Sequence, residues 1–204
     1  MFYEGAAYKQ YGPKEISTLS TQDPILGKAI ERIGVLEWNI KSDTFAVLIE
    51  SIIAQQISKK AAQTVQAKLY NLTKMDAAAI HGLSQDDVKA CGMSARKASY
   101  IKGVAEASIT NAVDFASLHT LTDAEVIKTL SSLKGVGVWT AEMMLIFSLG
   151  RPDVISYLDL AIRRGMMNLY NLQELPRQEF LKISKNYSPH SSIASLYLWE
   201  LSKD

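Results

Sequence analysis

The sequence predicts an all-α protein of about ten short helices. Apolar residues recur with the 3.6-residue period of an amphipathic helix along most of the chain, whereas the alternating pattern of a strand is almost absent. Residues that favour helix starts precede most of these segments and divide them into short helices. A chain of 204 residues with 48% hydrophobic content is long enough for one core, or for two small lobes that share one.

Capping residues predict where several of the helices begin. Asp23-Pro24 opens the first, which is expected to continue to about Glu37, because Asp accepts bonds from N-terminal amides and Pro fits the first turn. Thr122 and Glu125 have the spacing of a capping box. The other predicted helices cover about 43–56, 59–70, 75–80, 84–90, 94–109, 122–132 and 138–149, and the last three begin at Asp159, Pro176 and Pro189.

Composition excludes several classes of protein. The formal net charge of +1 argues against a strongly basic protein that coats DNA nonspecifically, but it allows a few phosphates to be bound through backbone amides. A single cysteine, Cys91, excludes an internal disulfide, a cysteine zinc site and a four-cysteine iron–sulfur cluster. No apolar run approaches a membrane span, and residues 1–11 lack the apolar region of a signal peptide, so we expect a cytoplasmic protein.

A Gly-Val-Gly turn, Gly135 to Gly137, lies between two predicted helices. Without side chains at the two glycines, a phosphate can come close to the backbone, and the next helix adds its positive N-terminal end. We expect Gly137 to serve this approach and also to occupy a left-handed turn. Glycines after a helix are most often simple C-caps, so the turn alone leaves both interpretations open.

Asp159 follows the loop 150–158 and stands at the start of the next predicted helix. An Asp in this position is usually an N-cap, but it can also supply a carboxylate to a reaction. Asp153 is a possible rival, although the turn Arg151-Pro152-Asp153 favours a structural role. Trp139 and Met143 are one helical turn apart and share a face, which fits either core packing or the wall of a pocket.

The segments 133–141 and 157–164 together resemble the helix-hairpin-helix DNA glycosylases. The chain is most similar to the alkylation-repair branch, the 3-methyladenine DNA glycosylase II type, over about residues 45 to 202. The resemblance implies a monomer with two lobes and an active-site cleft between them. One lobe would cover about 45–150 with the hairpin at 133–137, and the other about 1–44 and 151–204. The implied partner is double-stranded DNA that contains a damaged base, with no membrane involved.

The resemblance also assigns chemical roles. Asp159 would be the catalytic carboxylate, which stabilises the oxocarbenium ion or activates water. Trp139, Met143 and Trp199 would form the base pocket, where an indole attracts a cationic alkylated purine. The family often has an aromatic residue at the position of Met143. Bifunctional members have a Lys where this chain has Trp139, so the resemblance implies a monofunctional hydrolase.

Further family positions concern DNA and a cation. Six residues are expected to face DNA: Gln55, Gln56, Met93, Lys134, Gly135 and Gly137. Among them, Met93 would be the wedge inserted between bases. In similar proteins the hairpin holds Na⁺ or K⁺ through backbone carbonyls, which here would belong to Ser131, Leu133 and Val136. No other cofactor is expected, and no iron–sulfur cluster.

Three functions compete on these grounds. The leading hypothesis is a monofunctional DNA glycosylase of base excision repair that removes alkylated purines such as 3-methyladenine and 7-methylguanine. The alternatives are a non-catalytic helix-hairpin-helix DNA-binding module and a glycosylase for another damaged or mismatched base. A binding module needs the hairpin but not Asp159 with Trp139 and Trp199, which favours the enzyme. In a bacterium the protein would be associated with the nucleoid.

Overall fold

Helices dominate the computed structural model, which describes residues 6–8 and 11–203. Within this range it has twelve α-helices, two three-residue strands and two 3₁₀ turns, so the predicted all-α class is confirmed. The strands β1 (Ala6–Tyr8) and β2 (Asn39–Lys41) pair with each other. They were not predicted, because three residues are too few to show an alternating pattern. No described helix is long and apolar enough to span a membrane.

The helices follow one another with short connections. They are α1 (Pro13–Gln22), α2 (Pro24–Ile33), α3 (Thr44–Ala54), α4 (Lys59–Thr73), α5 (Ala77–Gly82), α6 (Gln85–Ala90), α7 (Ala95–Ile109), α8 (Asp123–Ser131), α9 (Val138–Phe147), α10 (Leu160–Tyr170), α11 (Arg177–Ser184) and α12 (Ser191–Leu201). Helix α1 was not predicted, since its N-cap is Gly12, which is a weak sequence signal.

The predicted caps have the expected contacts. The Asp23 carboxylate accepts hydrogen bonds from the amides of Ile25 and Leu26 at the start of α2. Thr122 forms the predicted capping box at the start of α8. The prediction that the first helix continues to Glu37 was wrong, because Gly34 takes a left-handed φ of 82° and ends α2.

The described residues fall into two compact units. The terminal unit comprises residues 1–40 and 145–204, and the central unit comprises 41–144. In the terminal unit the backbones of α10 and α12 approach each other closely at Gly165. A Cβ on Gly165 would lie 1.8 Å from the carbonyl oxygen of Leu198, so only glycine fits there. Tyr170 donates a hydrogen bond to Asp23 and lies 2.8 Å from the Tyr187 hydroxyl, which connects three elements of this unit.

Helix α3 forms the core of the central unit. Its side chains Leu48, Ile49, Ile52 and Ile53 are fully buried, as its continuous apolar sequence predicts. It packs against α4 and α7. The burial of one whole face places the C-terminal end of α3, and the turn that follows it, at a defined position in this unit.

Candidate active site

A cavity of about 500 Å³ lies in the central unit, where the end of α3 meets the start of α9. Its lining residues are Ser51, Ala54, Gln55, Gln56, Trp139, Thr140 and Met143. The structure therefore brings together two residues expected to form the base pocket, Trp139 and Met143, and two expected to face DNA, Gln55 and Gln56. The volume is in the range of small-molecule sites.

Large apolar side chains are exposed in the lining of this cavity and at positions adjacent to it in the sequence. Trp139 is 42% exposed, Val138 43% and Ile57 42%. A folded chain does not need an indole at its surface for stability, and neighbouring exposed apolar groups are typical of contact surfaces. The core-packing interpretation of Trp139 is therefore the weaker one.

The hairpin is a tight turn, and its conformation requires glycine at only one of its two glycine positions. The amide of Val136 donates to the carbonyl of Leu133 at 3.1 Å. Gly135 has a φ of +87°, and a Cβ at this position would lie 2.2 Å from the ring of Tyr100. Gly135 is therefore required by both its backbone conformation and the close packing of Tyr100. Lys134 beside it is exposed.

Gly137 differs from the expectation. Its φ lies outside the left-handed region, and a Cβ would meet no atom of the protein within 4 Å. The expected left-handed strain belongs to Gly135 instead. The carbonyl of Gly137 accepts from the amide of Ala141 at 3.1 Å, which starts α9. The exposed face of Gly137 thus lies at a helix N-terminus, where backbone amides attract anions.

The two glycines give a matched pair of substitutions. Gly135→Ala should lower the free energy of unfolding by about 1–3 kcal/mol, because it adds strain and displaces Tyr100. Gly137→Ala should leave stability unchanged, but weaken DNA binding by about tenfold, the lower end of the scale of one lost hydrogen bond to a charged phosphate. Thermal unfolding and fluorescence-anisotropy titration measure the two effects. Unaltered DNA affinity of Gly137→Ala would identify the turn as a helix cap only.

Asp159 is the N-cap of α10 in the terminal unit. One carboxylate oxygen accepts hydrogen bonds from the amides of Ala161 at 2.9 Å and Ile162 at 3.0 Å. The residue is only 7% exposed. The cap interpretation of the sequence is thus correct, and it is compatible with a catalytic role, because a capped carboxylate is held in one orientation at the positive end of a helix.

Trp199 lies on α12 of the same unit and is partly buried. Its ring packs against Phe147, with centroids 5.3 Å apart and planes inclined by 30°. The contact gives Trp199 a structural role whatever else it does. The side chain of Trp199 is less exposed to solvent than that of Trp139.

Asp153, the alternative candidate for the catalytic carboxylate, stabilises the start of α12 through hydrogen bonds. It accepts hydrogen bonds from the Ser188 hydroxyl at 2.6 Å and from the amide and hydroxyl of Ser191. Burial raises the pKa of Asp153, but the bonds from Ser188 and Ser191, with the charge of His190, lower it further, so the pKa lies below its usual value. These contacts explain the residue without a reaction.

A second, smaller cavity of about 260 Å³ contains the predicted wedge Met93, which is half-buried. Gln55, Gln56 and Lys97 also line it. Lys97 and Tyr100, both on α7, contact the predicted DNA-facing segments but were not identified from the sequence. No motif marks them, since their partners are 35 to 44 residues away along the chain.

The chain belongs to the HhH-GPD superfamily of base excision DNA repair proteins, whose sequence profile matches residues 49–189. The recognition from sequence is thereby confirmed.

Individual relatives are glycosylases. The chain is 34% identical over 169 residues to DNA-3-methyladenine glycosylase 1 of Schizosaccharomyces pombe. The aligned region covers 80% of this chain and 74% of that protein. It is similar in structure to the DNA-3-methyladenine glycosidase of Bacillus halodurans, with a TM-score of 0.86, 33% identity and coverage of 96% and 92% of the two chains. The Schizosaccharomyces pombe 3-methyladenine DNA glycosylase in complex with abasic DNA has a TM-score of 0.77, 30% identity and coverage of 94% and 97%.

Proposed function

We propose that the protein is a monofunctional DNA glycosylase that hydrolyses the N-glycosidic bond of flipped-out alkylated purines in double-stranded DNA. The observation that carries this proposal is the cavity of about 500 Å³ with the exposed Trp139 in its wall, close in sequence to the hairpin. A base that leaves the DNA stack needs such a cavity with an aromatic wall. The similarity to proteins named as 3-methyladenine glycosylases or glycosidases supports the choice of lesion. The site of action would be the cytoplasm, or the nucleoid in a bacterium.

Asp159 supplies the negative charge that the reaction requires. As the bond to the base breaks, positive charge develops on the sugar, and a fixed carboxylate beside it lowers the barrier. The amides of Ala161 and Ile162 hold the carboxylate in place before the substrate arrives, so no reorganisation is needed. The same group can orient the water that attacks the sugar carbon.

Trp139 and Met143 form the wall for the base. The indole face attracts a cationic purine such as 3-methyladenine or 7-methylguanine, whose glycosidic bond is already weakened by its charge. Met143 presents a polarizable side chain one helical turn away, where it can adapt to bases of different shape. Trp199 would add a second aromatic group.

The hairpin binds the DNA backbone. The exposed Gly137 and the first turn of α9 present amides to a phosphate, and Lys134 adds a positive charge nearby. The carbonyls of Ser131, Leu133 and Val136 would hold Na⁺ or K⁺. Oxygen ligands at the end of α8 suit such a cation, and the Ser131 hydroxyl there is buried without a hydrogen-bond partner. A bound cation would supply positive charge there, which would attract a phosphate of the DNA backbone.

Chromatography of bases released from DNA treated with a methylating agent tests the proposal. We expect release of 3-methyladenine and 7-methylguanine. Binding to this DNA without release of any base would favour the non-catalytic DNA-binding module, and release from oxidised or mismatched duplexes alone would favour another glycosylase.

Borohydride trapping should yield no covalent adduct with the DNA. A Schiff base needs an amine at the reacting sugar, and among the described residues that line the cavity of about 500 Å³ there is no lysine. Denaturing gel electrophoresis detects an adduct, and a bifunctional glycosylase treated in parallel provides the positive control. A trapped adduct that maps to a lysine of this chain would contradict the monofunctional mechanism.

A further inference from the structure

Lys97 on α7 holds the C-terminal end of α3. Its ammonium donates hydrogen bonds to the carbonyl oxygens of Ile53, at 2.7 Å, and of Gln55. The last carbonyls of a helix have no partner within the helix and carry its partial negative charge. A lysine ammonium suits both needs at once. Lys97 is thus bonded to the backbone of the turn that contains the predicted DNA-facing glutamines.

This turn needs support from outside. Gln56 has a φ of 59°, in the left-handed region that residues other than glycine rarely occupy. The amide of Ile57 makes only a long bond, 3.5 Å, to the carbonyl of Ala54. A strained residue of this kind persists only where its surroundings impose the conformation. In this turn the carbonyl of Gln55, directly before the strained residue, is one of the two that Lys97 binds.

The same face of α7 also reaches the hairpin. Tyr100 follows Lys97 by three residues, so the two side chains are neighbours on the helix surface. The ring of Tyr100 packs directly against Gly135. The Gln55 side-chain amide closes the connection, since it donates to the carbonyl of Gly135 at 3.0 Å. One helix face therefore contacts both segments expected to bind DNA.

The placement of Lys97 has an electrostatic cost. Burial lowers the pKa of its ammonium, because the charged group is partly withdrawn from water where it reaches these carbonyls. Gln55 and Gln56 line both of the cavities described above, so this turn borders each of them.

We propose that Lys97 is a positioning residue for DNA recognition, which holds the turn from Ala54 to Ile57 in register with the hairpin. Through this turn it sets the direction in which Gln56 meets the duplex. This inference rests on the proposed function, because it assumes that the turn and the hairpin face DNA.

The chain offers a matched control on the same helix. Lys102 of α7 donates to the carbonyls of Ile80, His81 and Leu83 at the end of α5. It performs the same capping chemistry as Lys97, at a helix end that carries no predicted DNA contact. A difference in DNA affinity between the Lys97 and Lys102 variants therefore reports which helix end the lysine caps, and not the loss of a capping lysine in general.

The experiment compares Lys97→Met, Lys97→Arg and Lys102→Met in the full chain. The three readouts are thermal unfolding, affinity for a duplex with a stable abasic-site analogue, and the single-turnover rate of release of 7-methylguanine at saturating enzyme. Lys97→Met should bind the duplex about fivefold more weakly, the scale of the net contribution of one hydrogen bond, and change the saturated rate by less than about twofold. Lys97→Arg, which keeps the donors, should retain most of the affinity. Lys102→Met should lose similar thermal stability and bind as the wild type does.

If the wild-type protein releases the base but the Lys97→Met and Lys102→Met variants bind DNA with equal affinity, the positioning role of Lys97 is overturned and the proposed function is not. A loss of affinity in Lys97→Arg as large as that in Lys97→Met would also overturn the positioning role. If Lys97→Met does not fold, the arginine variant and Lys97→Gln, which keeps a neutral donor, decide the question by the same affinities. A wild-type protein that binds the abasic duplex but releases no base would contradict the proposed function and leave the affinity comparison intact.

Discussion

Asp159→Asn is expected to slow base release by at least about 100-fold, the usual scale of a lost electrostatic contribution to a transition state. The substitution removes the charge and keeps the shape. Asparagine is as good an N-cap as aspartate, and its side-chain oxygen can still accept the bonds from Ala161 and Ile162. Stability and affinity for abasic-site DNA should therefore change little. Single-turnover kinetics, thermal unfolding and an anisotropy titration measure the three quantities.

Asp23→Asn provides the control for this experiment. Asp23 caps α2 with the same geometry, one oxygen accepting from two amides, and is likewise buried, at 4% exposure. Its substitution should leave the rate of base release unchanged. Asp153→Asn tests the rival carboxylate and should affect stability more than rate, because Ser188 and Ser191 depend on it. A wild-type rate in Asp159→Asn, or a large loss of rate in Asp153→Asn, would refute the assignment of the catalytic group.

Trp139→Leu is expected to lower release of cationic 3-methyladenine and 7-methylguanine by about 30-fold, which corresponds to the loss of a desolvated cation–π contact of about 2 kcal/mol. Neutral hypoxanthine should be affected much less. Since Trp139 is 42% exposed, leucine in its place should cost little stability. Single-turnover rates on duplexes with each lesion give the ratio.

Trp199→Leu provides a comparison, because Trp199 packs against Phe147 and its substitution should also lower the melting temperature. Equal losses on charged and neutral lesions in Trp139→Leu would show that the indole acts only as an apolar wall. Selectivity for cationic bases would then have to arise from other residues.

Local patterns explain why much of the fold was predictable. Ser94 and Thr122 begin α7 and α8 as expected, because a cap and the amides it binds are three residues apart. Errors occurred where the local signal was weak, as at Gly12, or absent, as in the three-residue strands. The family was recognised from the residues around the hairpin and Asp159, two short segments whose spacing is specific.

The sequence by itself determined the helical class, the family and the candidate catalytic, base-pocket and hairpin residues, because these depend on composition, on neighbours within one helical turn and on motifs. Only the tertiary structure showed that Gly135 and not Gly137 is required for the backbone, since the reason is the ring of Tyr100, 35 residues earlier. The partners of Asp153 and Lys97 were decided in the same way. A buried polar group must find a partner, but when that partner comes from a distant segment, packing of the whole unit selects it and no local pattern records it.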